Sequence, residues 1–184
     1  MPILAAEPSL FPDNLLEDYG DESFERRWWA IYTKSRQEKS LARQLLGMEV
    51  PFYLPLIPKT NLIRGRKFTS QIPLFGSYMF LFANEEERIK ALTTERIVQL
   101  LPAPPGQEIA QDLQNIRALI KAGAPLTLES RLAVGRRVRV KTGALMGLEG
   151  VILSRRSEER LLVGVRFLQQ GVSVLIQDFQ VEPI

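Results

Sequence analysis

The stretch GRRVRVKTGALMGLEGVI, residues 135–152, sets three glycines, Gly143, Gly147 and Gly150, among Leu145, Met146 and Leu148. Such a loop either cradles a phosphate or turns a β-chain. A Walker-type phosphate loop needs G-x-x-x-x-G-K-[ST] between a strand and a helix. Here the spacing differs, no Lys-Ser or Lys-Thr pair follows, and VILS after Gly150 reads as a strand. Glycine permits positive φ and close backbone approach, so the loop reads as a turn joining RVRVKT to GVILS. Three apolar side chains on a tight turn cannot all be buried. Leu145 can plug a barrel end, and Met146 and Leu148 are expected to form a partner contact.

The alternation continues outward from this turn. Val138 and Val140, then Val163, Val165 and Phe167, then Val172, Val174 and Ile176 would face one core. About 50 residues of this kind predict a small five-stranded barrel over 134–184. SEERLL, residues 157–162, would suit a helix, but five glycines between Gly143 and Gly171 oppose a helical alternative.

Upstream the pattern is different. RRWWAIYT, residues 26–33, predicts a strand with Trp28, Ala30 and Tyr32 on one face and Trp29, Ile31 and Thr33 on the other. Ser35 and Glu38 have capping-box spacing, which predicts a helix with Leu41, Ala42, Leu45 and Met48 inward. Prolines 51, 55 and 58 keep residues 50–58 extended. Residues 60–72 read as a hairpin turning near Arg64-Gly65, and 72–83 as an aromatic strand. Asn84 ahead of three glutamates predicts a second helix, and 96–101 a short strand. Ile109, Leu113, Ile116 and Ile120 mark a third helix, ended by Gly123 and Pro125. The fold class is α+β, an antiparallel sheet flanked by helices and then a small β-barrel. The expected organisation is a disordered acidic arm at 1–25, a first domain at 26–122, a linker at 123–133 and the barrel domain at 134–184.

Composition narrows the function. The 184 residues contain no histidine and no cysteine, which removes the usual nucleophile systems, imidazole or thiolate zinc sites, and disulfides. No enzyme activity and no cofactor are expected, and a cytoplasmic location fits. Residues 1–25 carry seven acids and no Lys or Arg, leaving 24 basic against 14 acidic residues beyond them. An acidic arm on a basic body points to a polyanionic partner. The arm lacks the basic start and apolar run of a signal peptide, and no segment has the length of a membrane span.

The 135–152 stretch resembles the KOW motif of the NusG/RfaH transcription factors. WWAIYTKSRQEKSLARQL resembles the first strand and helix of the NusG N-terminal domain, and LIRGRKFTSQIPLFGSYMFLF its hairpin and central strand, nearer to RfaH-type paralogues. The resemblance covers roughly residues 27–184 and implies an SH3-like KOW barrel after a NusG N-terminal-type domain. It implies a transcription elongation or antitermination factor, expected as a monomer. Its N-terminal domain would bind the RNA polymerase clamp helices, reach the gate loop and touch the non-template DNA strand. Its KOW domain would recruit ribosomal protein S10 or Rho through Met146 and Leu148. Tyr32, Phe75 and Tyr78 match the polymerase-facing aromatics, although PLFGSY stands where PLFPGY or PLFPNY is usual. Lys34, Arg36 and Gln37, with Arg64, Arg66 and Lys67 on the hairpin, match positions near DNA, where cations hold phosphates and Arg can stack on bases. Thr93 and Thr94 lie near a gate-loop position but are equally explained by capping. The alternative is a KOW-containing, RNA-binding, ribosome-associated protein, which would not need the domain before residue 102.

Overall fold

The computed structural model describes residues 6–17, 25–104, 108–176 and 179–184, and its contacts divide the chain into two compact units, Met1–Pro105 and Gly106–Ile184. Among the described residues no helix is long and apolar enough to cross a membrane.

The first unit contains β1 (Leu10–Phe11), β2 (Arg27–Thr33), α1 (Glu38–Gly47), β3 (Phe52–Tyr53), β4 (Leu56–Ile63), β5 (Arg66–Pro73), β6 (Tyr78–Ala83), α2 (Glu85–Leu92) and β7 (Ile97–Pro102). Five strands form an antiparallel sheet in the order β1-β3-β6-β2-β7, while β4 and β5 pair only with each other. The two-residue period of β2 sends alternate side chains to opposite faces. Ile31 packs with Leu41, Ala42, Leu45, Phe52, Met79, Leu81 and Ala91, all fully buried, and Trp29 lies against this cluster. On the other face Trp28 packs on Phe82, and Ala30, Tyr53 and Phe80 are buried. Met48 does not join the inward stripe. It follows the helix and is exposed, because the chain leaves the helical spiral there.

Asn84 and Glu87 form the reciprocal capping box that starts α2. The capping box expected at α1 is not made. Gln37 is the N-cap with no side-chain cap bond, and Glu38 turns inward to accept the Ser77 backbone N–H at 2.7 Å.

The acidic arm is corrected in part. Residues 1–5 and 18–24 lie outside the described residues, but β1 pairs with β3 through Leu10 opposite Tyr53 and Phe11 opposite Phe52. Ser9 and Leu54 exchange two hydrogen bonds of 2.7 Å, Glu7 pairs with Arg43, and Leu15 and Leu16 are buried. The acid count hid two short apolar pairs that supply this packing.

The second unit contains α3 (Glu108–Ala122), β8 (Thr127–Glu129), β9 (Arg137–Val140), β10 (Glu149–Arg155), β11 (Glu158–Val165), β12 (Gln170–Leu175) and β13 (Val181–Pro183). The strands form an antiparallel sheet in the order β13-β9-β10-β11-β12-β8. In SEERLL, Ser157 lies in the turn after β10 and residues 158–162 are strand, in agreement with the β reading. Two boundaries differ from expectation. The third helix packs on β11 within this unit, burying Ile109, Leu113, Ile116 and Leu119, and the Asp112 carboxylate accepts from both the backbone and the guanidinium of Arg166. The expected linker contains β8, paired with β12 and held by Glu129, which is buried and accepts from Ser173 and Arg155. Helix periodicity shows that a stripe is buried, not which partner buries it.

Candidate interaction surfaces

One end of the first sheet gathers most of the expected site residues. Tyr32 and Tyr78 are directly opposite in the β2–β6 register, with ring centroids 5.2 Å apart and planes inclined at 47°. Tyr32 is 38% exposed and Tyr78 half-buried, so the pair offers aromatic surface. A register shift between β2 and β7 falls at Tyr32/Thr33, where the strand leaves the sheet. Phe75 is a correction. It is fully buried, so it cannot touch a partner in this conformation, and its role is to anchor the loop before β6. The Tyr78 N–H donates to the Phe75 carbonyl at 3.1 Å.

Next to the pair, Lys34, Ser35, Gln37, Thr94, Glu95 and Arg96 line an open polar hollow of about 360 Å³. The Lys34 N–H donates to the Arg96 carbonyl at 2.9 Å, joining the loops after β2 and α2. Arg96 donates to Gln37 and, at 3.0 Å, to Gln44, so its guanidinium is held at the wall. Lys34 and Arg36 are exposed, and Arg36 adopts φ 60°. Sequence reading brought Lys34, Arg36 and Gln37 here but missed Arg96. The only available signal was its place beside Thr93 and Thr94, whose hydroxyls donate to the Lys90 and Ala91 carbonyls as caps of α2.

The β4–β5 ribbon carries Arg64, Arg66 and Lys67, all exposed. Ile63 pairs with Arg66, leaving Arg64 and Gly65 as a two-residue turn with φ 49° and 76°. Positive φ at both positions is the I′ geometry that matches strand twist, and glycine takes it without steric cost. Residues 56–73 contain Lys59, Arg64, Arg66 and Lys67 and no acid. Leu62, Ile63 and Phe68 are exposed beside these cations.

In the second unit the glycine loop divides its apolar residues. Gly143 and Gly147 take φ 87° and 88°, and the Gly147 N–H donates to the Val140 carbonyl at 2.9 Å. This folds Leu145 and Leu148 inward to 6% exposure each and leaves Met146 at 73%. Leu148 is therefore corrected from contact to core, and Met146 alone stays presented. The adjacent strands carry cations that are already paired, Arg137 and Arg139 with Glu149 and Lys141 with Glu182.

A family model described as "NusG: Transcription termination factor nusG" matches residues 26–118. A solved structure described as "Domain interaction in Thermotoga maritima NusG" is similar at 18% identity over 88% of this chain and 98% of that chain, with a TM-score of 0.45. No curated protein matches the sequence.

Proposed function

Because this chain belongs to the NusG family, and so to the transcription elongation and termination factors, we propose that its first unit binds RNA polymerase through Tyr32 and Tyr78. The observation that carries this reading is the exposed tyrosine pair, which lies within the matched residues. Buried tyrosine hydroxyls need partners, whereas a half-exposed pair offers flat apolar area with polar rims, the kind of anchor that interfaces favour. The clamp helices are the polymerase element to which the resemblance assigns this contact, with the gate loop beyond it, and the outcome is reduced pausing or termination.

Lys34, Arg36, Gln37, Arg64, Arg66 and Lys67 touch the non-template DNA strand in this reading. The acid-free ribbon supports it, since cations without acidic neighbours keep their charge available for phosphate, and Lys34 and Arg36 are exposed. The second unit acts as a KOW domain and recruits ribosomal protein S10 or Rho, with Met146 as its apolar contact. A flexible, polarisable side chain held on a tight turn suits such a role. The protein works as a cytoplasmic monomer without a cofactor.

The test is direct binding of the full chain to core RNA polymerase. Replacing both tyrosines with alanine is expected to weaken binding by about thirtyfold, as removal of a central interface anchor does. Equal affinity of a folded double variant would refute the assignment.

A further inference from the structure

Ser77 has φ 63°, a left-handed backbone that residues other than Gly, Asn and Asp adopt at a cost. Two contacts hold it there. Its N–H donates to Glu38 Oε1 at 2.7 Å, and its carbonyl accepts from the Thr33 N–H at 2.8 Å. Glu38 is 7% exposed, an uncommon position for a carboxylate, and its oxygen is spent on this one backbone donor rather than on capping its own helix. Ser77 immediately precedes Tyr78, Thr33 immediately follows Tyr32, and buried Phe75 fixes the other end of the loop. The clamp therefore grips both tyrosines' neighbours and neither ring.

We infer that Glu38 is the positioning residue of the tyrosine pair. Its buried carboxylate holds Ser77 left-handed, and this presents Tyr78 against Tyr32 as a preformed contact. Preformation matters because a contact that is already ordered does not lose that freedom on binding. This inference rests on the reading of the pair as a polymerase contact, and it adds a residue that touches no partner. Glycine at position 77 would adopt the same backbone unaided, so a serine there makes the geometry depend on Glu38.

The experiment uses the full chain and two readouts, ring-to-ring NOEs between Tyr32 and Tyr78 and affinity for core RNA polymerase. Glu38→Ala is expected to abolish the NOEs and weaken binding about tenfold. Glu38→Gln, which still offers an oxygen to the Ser77 N–H, is expected to keep both. Ser77→Gly in the Glu38→Ala background is expected to restore the NOEs and at least threefold of the lost affinity. If Glu38→Ala fails to fold, Glu38→Met has similar length, cannot accept the bond and carries the same test. Retained NOEs in the variant that lacks the acceptor, or no rescue by glycine, would overturn the inference. Wild-type binding by the double tyrosine variant would sink the polymerase contact instead, and the NOEs would still judge Glu38 on their own.

Discussion

Asp112→Ala should loosen the third helix from the second unit. Asp112 is 5% exposed and accepts the Arg166 backbone N–H at 2.9 Å, Nε at 3.1 Å and Nη2 at 3.0 Å. The Arg166 guanidinium is held above its usual pKa by the Asp112 hydrogen bonds, with burial opposing. Its side chain is half exposed, so after the substitution it can turn to water and recover hydration. The backbone donor cannot. The loss is therefore one orphaned N–H plus the charge-assisted bonds, less the rehydration of the guanidinium, or about 2 kcal/mol. At about 1.4 kcal/mol per decade, the helix should open roughly thirtyfold more often. Native-state hydrogen exchange on the full chain reads this directly from the amides of residues 112–122. Asp112→Asn keeps an acceptor for the N–H and should show a smaller effect. Glu108→Ala, which removes only an exposed partner of Arg166 at 3.3 Å, should cost less than about 0.5 kcal/mol. Unchanged exchange in Asp112→Ala would mean that the Asp112–Arg166 contact does not hold this helix.

Other substitutions probe the remaining surfaces. Leu148→Ser should destabilise the second unit by about 3 kcal/mol in urea unfolding, whereas Met146→Ser should leave stability unchanged and weaken only S10 or Rho binding. A Cβ at Gly150 would sit 2.4 Å from the Leu162 carbonyl oxygen, while the nearest atoms to one at Gly164 belong to the Leu132 side chain, which can move, so Gly150→Ala should lower the melting temperature more. Arg64→Ala should lower the salt slope of single-stranded DNA binding by about 0.7 if that side chain holds one phosphate. Burial alone would raise the Glu87 pKa, but the Arg26 side chain and the Asn84 N–H hold it below its ordinary value. Its contribution to stability is thus full at neutral pH and fades as pH falls through and below the ordinary carboxylate range, so Arg26→Ala should flatten acid unfolding of the first unit.

Alternation and caps were legible in the sequence because they act over a few residues. Period two put Trp28 and Trp29 on opposite faces, and Asn84 with Glu87 began α2. The Arg64-Gly65 turn was equally local. Partners distant in sequence were not legible. Glu38 has capping-box spacing, but its acceptor is claimed by Ser77 across the sheet end. Phe75 matched a surface motif, yet the loop turns it into the core. Leu145, Met146 and Leu148 are chemically alike, and only the two positive-φ glycines determine which one faces water. The third helix had a clear stripe, but the ion pair assigning it to the second unit joins residues 112 and 166.

The short β1 strand has a consequence for self-association. An exposed edge of a sheet is a template for another chain, because its N–H and C=O groups are unpaired. Beyond β3 that template is reduced to Leu10 and Phe11, flanked by Pro8 and Pro12, and neither proline has an N–H to offer an incoming strand. Residues 8–12 thus act as a stop that limits sheet growth on this side. Removing them would uncover Phe52 and Tyr53, and the shortened chain should aggregate at concentrations where the full chain stays dispersed.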